Sequence, residues 1–207
     1  MATKEWEVDI IVMSFGFESS IPIIDKAIEK ALEAKKKPLL FAATRNHGAH
    51  LGVAWPARHG NVIAVSSTDG DGIRSTFNPP DHSCSHKIFY ALGEGVKVSL
   101  ADPNNPRSKF SKRVSATSYA NPAAAGLAAM LLWFVRRALR EPPSDTPEGP
   151  GYDTVIAGLR TSDGMRAVLK ECMTKEGSLL PWAFLTEQKL RDHQLLRNVY
   201  DALKYGK

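Results

Sequence analysis

The sequence predicts an α/β fold built on a parallel sheet. Three features predict it: short apolar runs closed by turn residues, a helix of apolar periodicity between the first two runs, and a long alanine-rich apolar helix further along. Val8-Asp9-Ile10-Ile11-Val12-Met13, closed by Ser14-Phe15-Gly16, has the pattern of a strand covered on both faces. Ile24, Ala27, Ile28, Ala31 and Leu32 then recur at helical spacing, with Pro22 near the start and Lys35 to Lys37 where the negative end of the helix dipole lies. Pro38-Leu39-Leu40-Phe41-Ala42-Ala43 is a second strand. Strand, helix, strand at this spacing is a right-handed crossover between parallel neighbours.

A third strand, Val62 to Ser66, follows a loop carrying His47, His50 and Pro56 and is closed by Asp69-Gly70-Asp71-Gly72. That Asp-Gly repeat lacks the downstream acidic ligand of a calcium loop and reads as a plain turn. Asn78 to Lys87 is rich in turn formers, Gly93 to Val98 is a turn into another strand, and Asp102 to Lys112 reads as loop. The clearest helix starts at Thr117 or Ser118 and runs to about Leu139; apolar on nearly every side, it belongs in the interior against the sheet. Glu141 to Gly151 (EPPSDTPEGPG) is a linker. Beyond it Ser162 to Met173, opening on a Ser/Asp cap, and Thr186 to Leu203 are amphipathic helices. The chain therefore divides into residues 1–140, a linker over 141–151 and a helical tail over 152–207.

Composition narrows the function classes. At 207 residues, 43% hydrophobic and 24% charged, the chain has ordinary globular usage and room for a self-stabilising core. Its longest unbroken apolar runs fall short of the roughly 20 residues a membrane span requires, so no membrane partner is expected. Cys84 and Cys172 are too few and too far apart for a disulfide framework or a cysteine-based zinc site, and they read as free thiols. The net charge of +5 is scattered and lacks an aromatic-interleaved basic patch, so no nucleic acid is expected. The polar opening Met1 to Glu7 is not a signal peptide, and the expected location is cytoplasmic. No metal or cofactor is called for: the His47/His50 pair has HxxH spacing without a neighbouring acidic partner. A nucleotide-binding domain would need a glycine-rich turn after the first strand, where Ser14-Phe15-Gly16-Phe17 supplies one glycine.

Two polar residues stand where open α/β sheets place their sites. Ser118 lies at the mouth of the apolar helix, where main-chain N–H groups and the helix dipole favour negative charge; the alternative is an ordinary helix cap. Asn46 follows a buried strand and is either a turn residue or an amide donor into a cleft at the carboxyl edge of the sheet.

Taken in order, three segments resemble the subtilisin-like serine peptidases. Val8 to Gly16 looks like that family's strand ending in a Ser-Leu-Gly motif. Leu40-Phe41-Ala42-Ala43-Thr44-Arg45-Asn46-His47-Gly48 is similar to its Ala-Ala-x-Gly-Asn-x-Gly segment. Ala116-Thr117-Ser118-Tyr119-Ala120-Asn121-Pro122-Ala123-Ala124-Ala125-Gly126 resembles Gly-Thr-Ser-x-Ala-x-Pro-x-x-Ala-Gly around the nucleophile. The resemblance covers roughly residues 8 to 138. It implies a three-layer sandwich with the nucleophile at Ser118, an oxyanion donor at Asn46, a substrate-pairing strand at Ser14, Phe15 and Gly16, and a pocket wall at Ala43, Thr44 and Arg45. The implied activity is serine endopeptidase chemistry on peptide or protein substrates.

The departures shape what is expected of this chain alone. The family's aspartate and histidine precede the strand at Val8, and none of the six histidines stands in a His-Gly-Thr context. The expectation is the C-terminal half of a catalytic domain, N-terminally truncated, with a missing half or neighbouring domain as partner and no significant proteolysis by itself. The alternative is a non-catalytic peptide-binding or regulatory module. Ala116 and Arg45 stand where the family has glycine; the first is expected to crowd a tight turn, the second to fill the pocket or favour acidic side chains.

Overall fold

Strict alternation along three central strands builds two cores on opposite faces of one sheet. Leu39 and Phe41, Ile63 and Val65, Phe89 and Ala91 point to one face; Leu40 and Ala42, Val62 and Ala64, Ile88 and Tyr90 point to the other, and all are buried. The computed structural model describes residue 3 and residues 5–84, 87–102, 105–141, 151–175, 177–180 and 192–205. Its strands are β1 (Ile10–Met13), β2 (Leu39–Ala43), β3 (Val62–Thr68), β4 (Ile88–Leu92), β5 (Val96–Asp102), β6 (Asn105–Val114), β7 (Thr174–Lys175) and β8 (Ser178–Leu179). The main sheet runs in the order β1-β2-β3-β4-β8-β7, parallel except where β7 turns back on β8. This is the α/β fold with a parallel sheet that the sequence predicts.

One face is covered by helix α1 (Pro22–Leu32) and the loop through Val53 and Ala57. Pro22 occupies the first turn, where its missing N–H is harmless, and the stripe Ile24, Ile28, Ala31, Leu32 faces the sheet. Ala27, expected on that stripe, is exposed. The opposite face is covered by α2 (Thr117–Arg140), α3 (Tyr152–Leu159), α4 (Ser162–Met173) and α5 (Asp192–Tyr205), whose buried side chains share one core with Phe41, Val65 and Phe89. Full burial of each such aromatic contributes about 1.5–3 kcal/mol.

Several local expectations change. β1 is not covered on both faces: β2 is its one neighbour among the described residues, and Val12 is 41% exposed. Asp102 to Lys112 is not loop, because Asn105–Val114 pairs antiparallel with β5 in a separate two-stranded sheet, Leu100 opposite Phe110. The α2 helix is buried along one stripe, Ala120, Ala124, Leu131 and Val135 among it, while Trp133 on the other side is 59% exposed. In length and composition α2 is apolar enough to cross a bilayer, unlike the short runs counted from the sequence, but that stripe packs on the sheet. The α4 cap is Thr161, whose Oγ1 accepts the Gly164 N–H at 3.0 Å, and Ser162 is already helical. The expected helical tail also carries β7 and β8, with Ser178 in register with Tyr90. Most of the linker (142–150), Ser85 and His86 of the Asn78 to Lys87 loop, and 186–191 of the last predicted helix lie outside the described residues.

The Asp69 turn is closed by its own side chain, Oδ1 accepting from the main chain of Asp71 at 3.0 Å and Ile73 at 2.9 Å. Asp9, just before β1, gathers Arg136 of α2, Arg160 after α3 and Lys36 after α1 at 2.6, 2.5 and 3.4 Å. Lys36 of the lysine run therefore ties to the sheet edge.

Candidate active site

The carboxyl ends of β1 and β2 and the mouth of α2 meet at one place. Beyond Met13 the chain leaves the β1 ladder, and α2 grips this exit: Asn121 Nδ2 donates to the Met13 carbonyl at 3.2 Å. Ser14 Oγ donates to the Ser118 carbonyl at 3.2 Å, and Ser118 Oγ donates back to the Ser14 carbonyl at 3.5 Å. Ser118 is the second residue of α2, in the first turn whose main-chain N–H groups have no intrahelical acceptor. Ala116, before the helix, has φ −173°, extended backbone that any residue adopts, so its Cβ does not crowd a turn as expected.

Asn46 reaches the same mouth from the end of β2. Its Oδ1 accepts the Thr117 main-chain N–H at 2.7 Å, which leaves the Nδ2 donors of the amide to face elsewhere. Gly93 makes the close approach of α2 to β3 possible, since a Cβ there would stand 2.8 Å from the Ala116 carbonyl oxygen and 2.7 Å from Ser67 Oγ. Gly16 is equally confined, 2.7 Å from Ala54 Cβ, where Phe17 and Trp55 exchange main-chain hydrogen bonds at 2.8 and 2.9 Å.

These elements enclose an open cleft of about 450 Å³. Ser14, Phe15 and Gly16 after β1, Ala43, Arg45 and Asn46 at the end of β2, and Thr117 and Ser118 of α2 all line it, with Phe17, Glu18, His47, Leu51 and Ala54. Seven of the eight residues singled out from the sequence thus come together. Thr44 is fully buried instead, its Oγ1 sharing a 2.6 Å hydrogen bond with Ser66 Oγ. Arg45 has φ 151°, in the region that favours glycine.

Among the described residues Ser118 has no imidazole partner. His47 lines the cleft without a hydrogen bond to the serine. His59 is engaged elsewhere: its Nδ1 accepts the Asn61 N–H at 3.1 Å, its ring packs edge-on against Trp55, and burial holds its pKa below the usual histidine value. No cluster of three or more potential metal-ligating side chains occurs among the described residues.

Asn121, Phe17, Glu18 and Leu51 join the site without having been among the residues that the sequence marks as candidates. Asn121 is fully buried in α2, and a polar amide in an otherwise apolar alanine-rich stretch was the available signal.

A parallel α/β sheet thus carries a serine in the first turn of a helix, with an asparagine amide beside it in an open cleft, an arrangement that suits hydrolytic chemistry. Residues 2–141 match the model of the subtilase family, peptidase S8, and the chain belongs to that family of subtilisin-like serine proteases. It is 32% identical over 119 residues to alkaline elastase YaB of Bacillus sp. (strain YaB), a match covering 58% of this chain and 28% of that protein. Over 197 residues it is 28% identical to subtilisin-like protease het-Q2 of Podospora anserina, covering 90% of this chain and 52% of that one. Among solved structures it is similar in fold to the prenylagaramide maturation protease PagA, with 22% identity and a TM-score of 0.58 over 95% of this chain and 62% of that chain. The patellamide maturation protease PatA gives 22% identity and a TM-score of 0.57, covering 98% and 65%. The chain thus spans about half or less of the length of these two curated relatives.

Proposed function

We propose that this chain carries the nucleophile and oxyanion portion of a subtilisin-like serine endopeptidase, with Ser118 as nucleophile and Asn46 as oxyanion donor. The observation that carries the reading is the 2.7 Å bond from the Thr117 N–H to Asn46 Oδ1, which sets the asparagine amide beside the first turn of α2. In this reading an extended peptide lies along Ser14 to Gly16 as an added strand. Ser118 Oγ attacks the scissile carbonyl carbon as its proton passes to a base. The carbonyl oxygen becomes an oxyanion held by Asn46 Nδ2 and the Ser118 main-chain N–H, the C–N bond then breaks as the amine takes the proton, and water hydrolyses the acyl-enzyme. An oxyanion donor of this kind is worth about 3 kcal/mol in the transition state.

A serine is a poor nucleophile without a base within hydrogen-bond reach. Ser118 Oγ instead donates to the Ser14 carbonyl, so the reading places the base and its aspartate outside the described residues, and the chain alone is expected to show no significant proteolysis. The same observation favours a second reading, a peptide-binding module that does no chemistry.

A fluorophosphonate probe, an equilibrium binding measurement with an extended peptide, and Ser118→Ala as control test both. Labelling lost in Ser118→Ala supports the nucleophile and shows that a base is supplied from within the chain, against the expected inactivity. Peptide binding without labelling by the folded chain fits a nucleophile portion without its base as well as a binding module, and a folded chain that neither labels nor binds peptide overturns both.

A further inference from the structure

We infer that Arg45 makes this cleft selective for peptides carrying an acidic side chain, its guanidinium holding an Asp or Glu carboxylate of the bound chain. The inference rests on the peptide-binding reading of the cleft and adds the substrate class.

Three observations converge on Arg45. It lines the cleft that also contains Asn46 and Ser118, and its side chain is half-buried there. Its backbone has φ 151°, a conformation costly for any residue with a Cβ and easy for glycine, so an arginine at this position strains the fold without supporting it locally. Among the described residues, finally, its guanidinium has no partner. Arg58, Arg113 and Arg166 donate to main-chain carbonyls, while Arg74, Arg136 and Arg160 pair with carboxylates. Arg140 and Arg197, which have no such partner among the described residues, lie exposed on helices, as solvated arginines do.

The surroundings strengthen a charge pair at this position. Phe15 and Phe17, their ring centroids 5.9 Å apart, and Leu51 present apolar surface to the same space. A bound peptide against these side chains displaces water, and a carboxylate on Arg45 then forms charge-assisted hydrogen bonds, bidentate where the planar fork is met edge-on. Glu18 is the acidic residue of the lining and makes no ion pair with Arg45, so the arginine is not neutralised from within.

The test is fluorescence polarisation with fluorescein-labelled alanine hexapeptides in which Glu, Gln or Lys is walked through each position. One position is expected at which Glu binds about fivefold or more tightly than Gln, with the preference shrinking as salt is raised. Arg45→Gly should erase that difference, Arg45→Glu should turn it into a preference for Lys, and Glu18→Gln should enlarge it about twofold by removing a like charge. As a readout in the unmutated protein, the Arg45 Nε–Hε resonance should shift on adding the Glu peptide and stay put with the Gln peptide. Peptides that bind with no preference for Glu at any position overturn the inference and leave the cleft reading standing. A folded chain that binds none of the peptides overturns the cleft reading and this inference with it.

Discussion

Asn46 Oδ1 and the Thr117 N–H lie 71 residues apart in sequence and 2.7 Å apart in space. The bond satisfies a first-turn donor of α2 and orients the amide, so one side chain has two separable duties. Asn46→Asp keeps the acceptor and adds a negative charge at the helix N-terminus; it should unfold within about 0.5 kcal/mol of the unmutated chain while slowing whatever labelling of Ser118 the unmutated chain shows by about 10²–10³-fold, the cost of a lost oxyanion donor. Asn46→Leu loses both duties and should in addition cost about 1 kcal/mol in chemical denaturation. Equal labelling rates for Asn46→Asp and the unmutated chain would remove asparagine from the oxyanion role.

Gly93 sets how closely α2 approaches the sheet. A Cβ there meets Ser67 Oγ, the Ala116 carbonyl and Ala120 Cβ within 2.8 Å, and two of these belong to the entrance and first turn of α2. Gly93→Ala should destabilise by about 1–3 kcal/mol and displace the α2 mouth. Amide shifts at Ser118 and Asn46 larger than those at β8 are the expected signature; a variant that melts like the parent contradicts the close approach.

The hub at Asp9 makes stability depend on pH. The Arg136 hydrogen bond, opposed by desolvation and aided by the charges of Arg136, Lys36 and Arg160, holds the Asp9 carboxyl below its ordinary 3.8. Its folded pKa lies below its unfolded one, so the contribution is present above about pH 4 and is lost as pH falls through the folded value. The carboxylate is 32% exposed, and solvent screening limits the contribution to about 1 kcal/mol. Asp9→Asn should therefore be less stable than the parent by about that much at pH 7, with the gap closing as acid protonates the parent; a gap that persists unchanged to pH 2 removes Asp9 as its source.

Arg45 strains its own backbone, and removing its Cβ should show it. Arg45→Gly is expected to stabilise the fold by about 1 kcal/mol, read as a raised denaturation midpoint at unchanged slope. A lower midpoint would mean that the arginine side chain supports the fold after all.

Much of this architecture was legible in the sequence because its signals are local. Runs such as Leu39 to Ala43 and Val62 to Val65 are continuous because both sheet faces are covered, and α1 shows itself by a one-sided stripe after Pro22. β6 was not legible: its lysines, serines and proline look like loop until β5 supplies the main-chain partners that make it a strand. The exposure of Val12 was hidden for a related reason, since an apolar run says nothing about how many strands lie beside it. In the site, Ser118 and Asn46 were readable from the residues around them, while Asn121 was hidden as one polar residue inside an alanine-rich helix.

The sequence by itself determined the order and kind of most elements, the family resemblance and the residues from which a site is assembled, because periodicity and motif are set by neighbours a few positions away. Tertiary structure alone decided that Thr44 is buried on a hydrogen bond to Ser66, that Ala116 sits in relaxed extended backbone and that Arg45 is strained and unpaired among the described residues. Those outcomes depend on contacts between segments distant in the chain, such as Asn46 with Thr117 and Ser14 with Ser118. No local pattern encodes the angle and distance at which two such segments meet; the packing of α2 onto the sheet across Gly93 sets both.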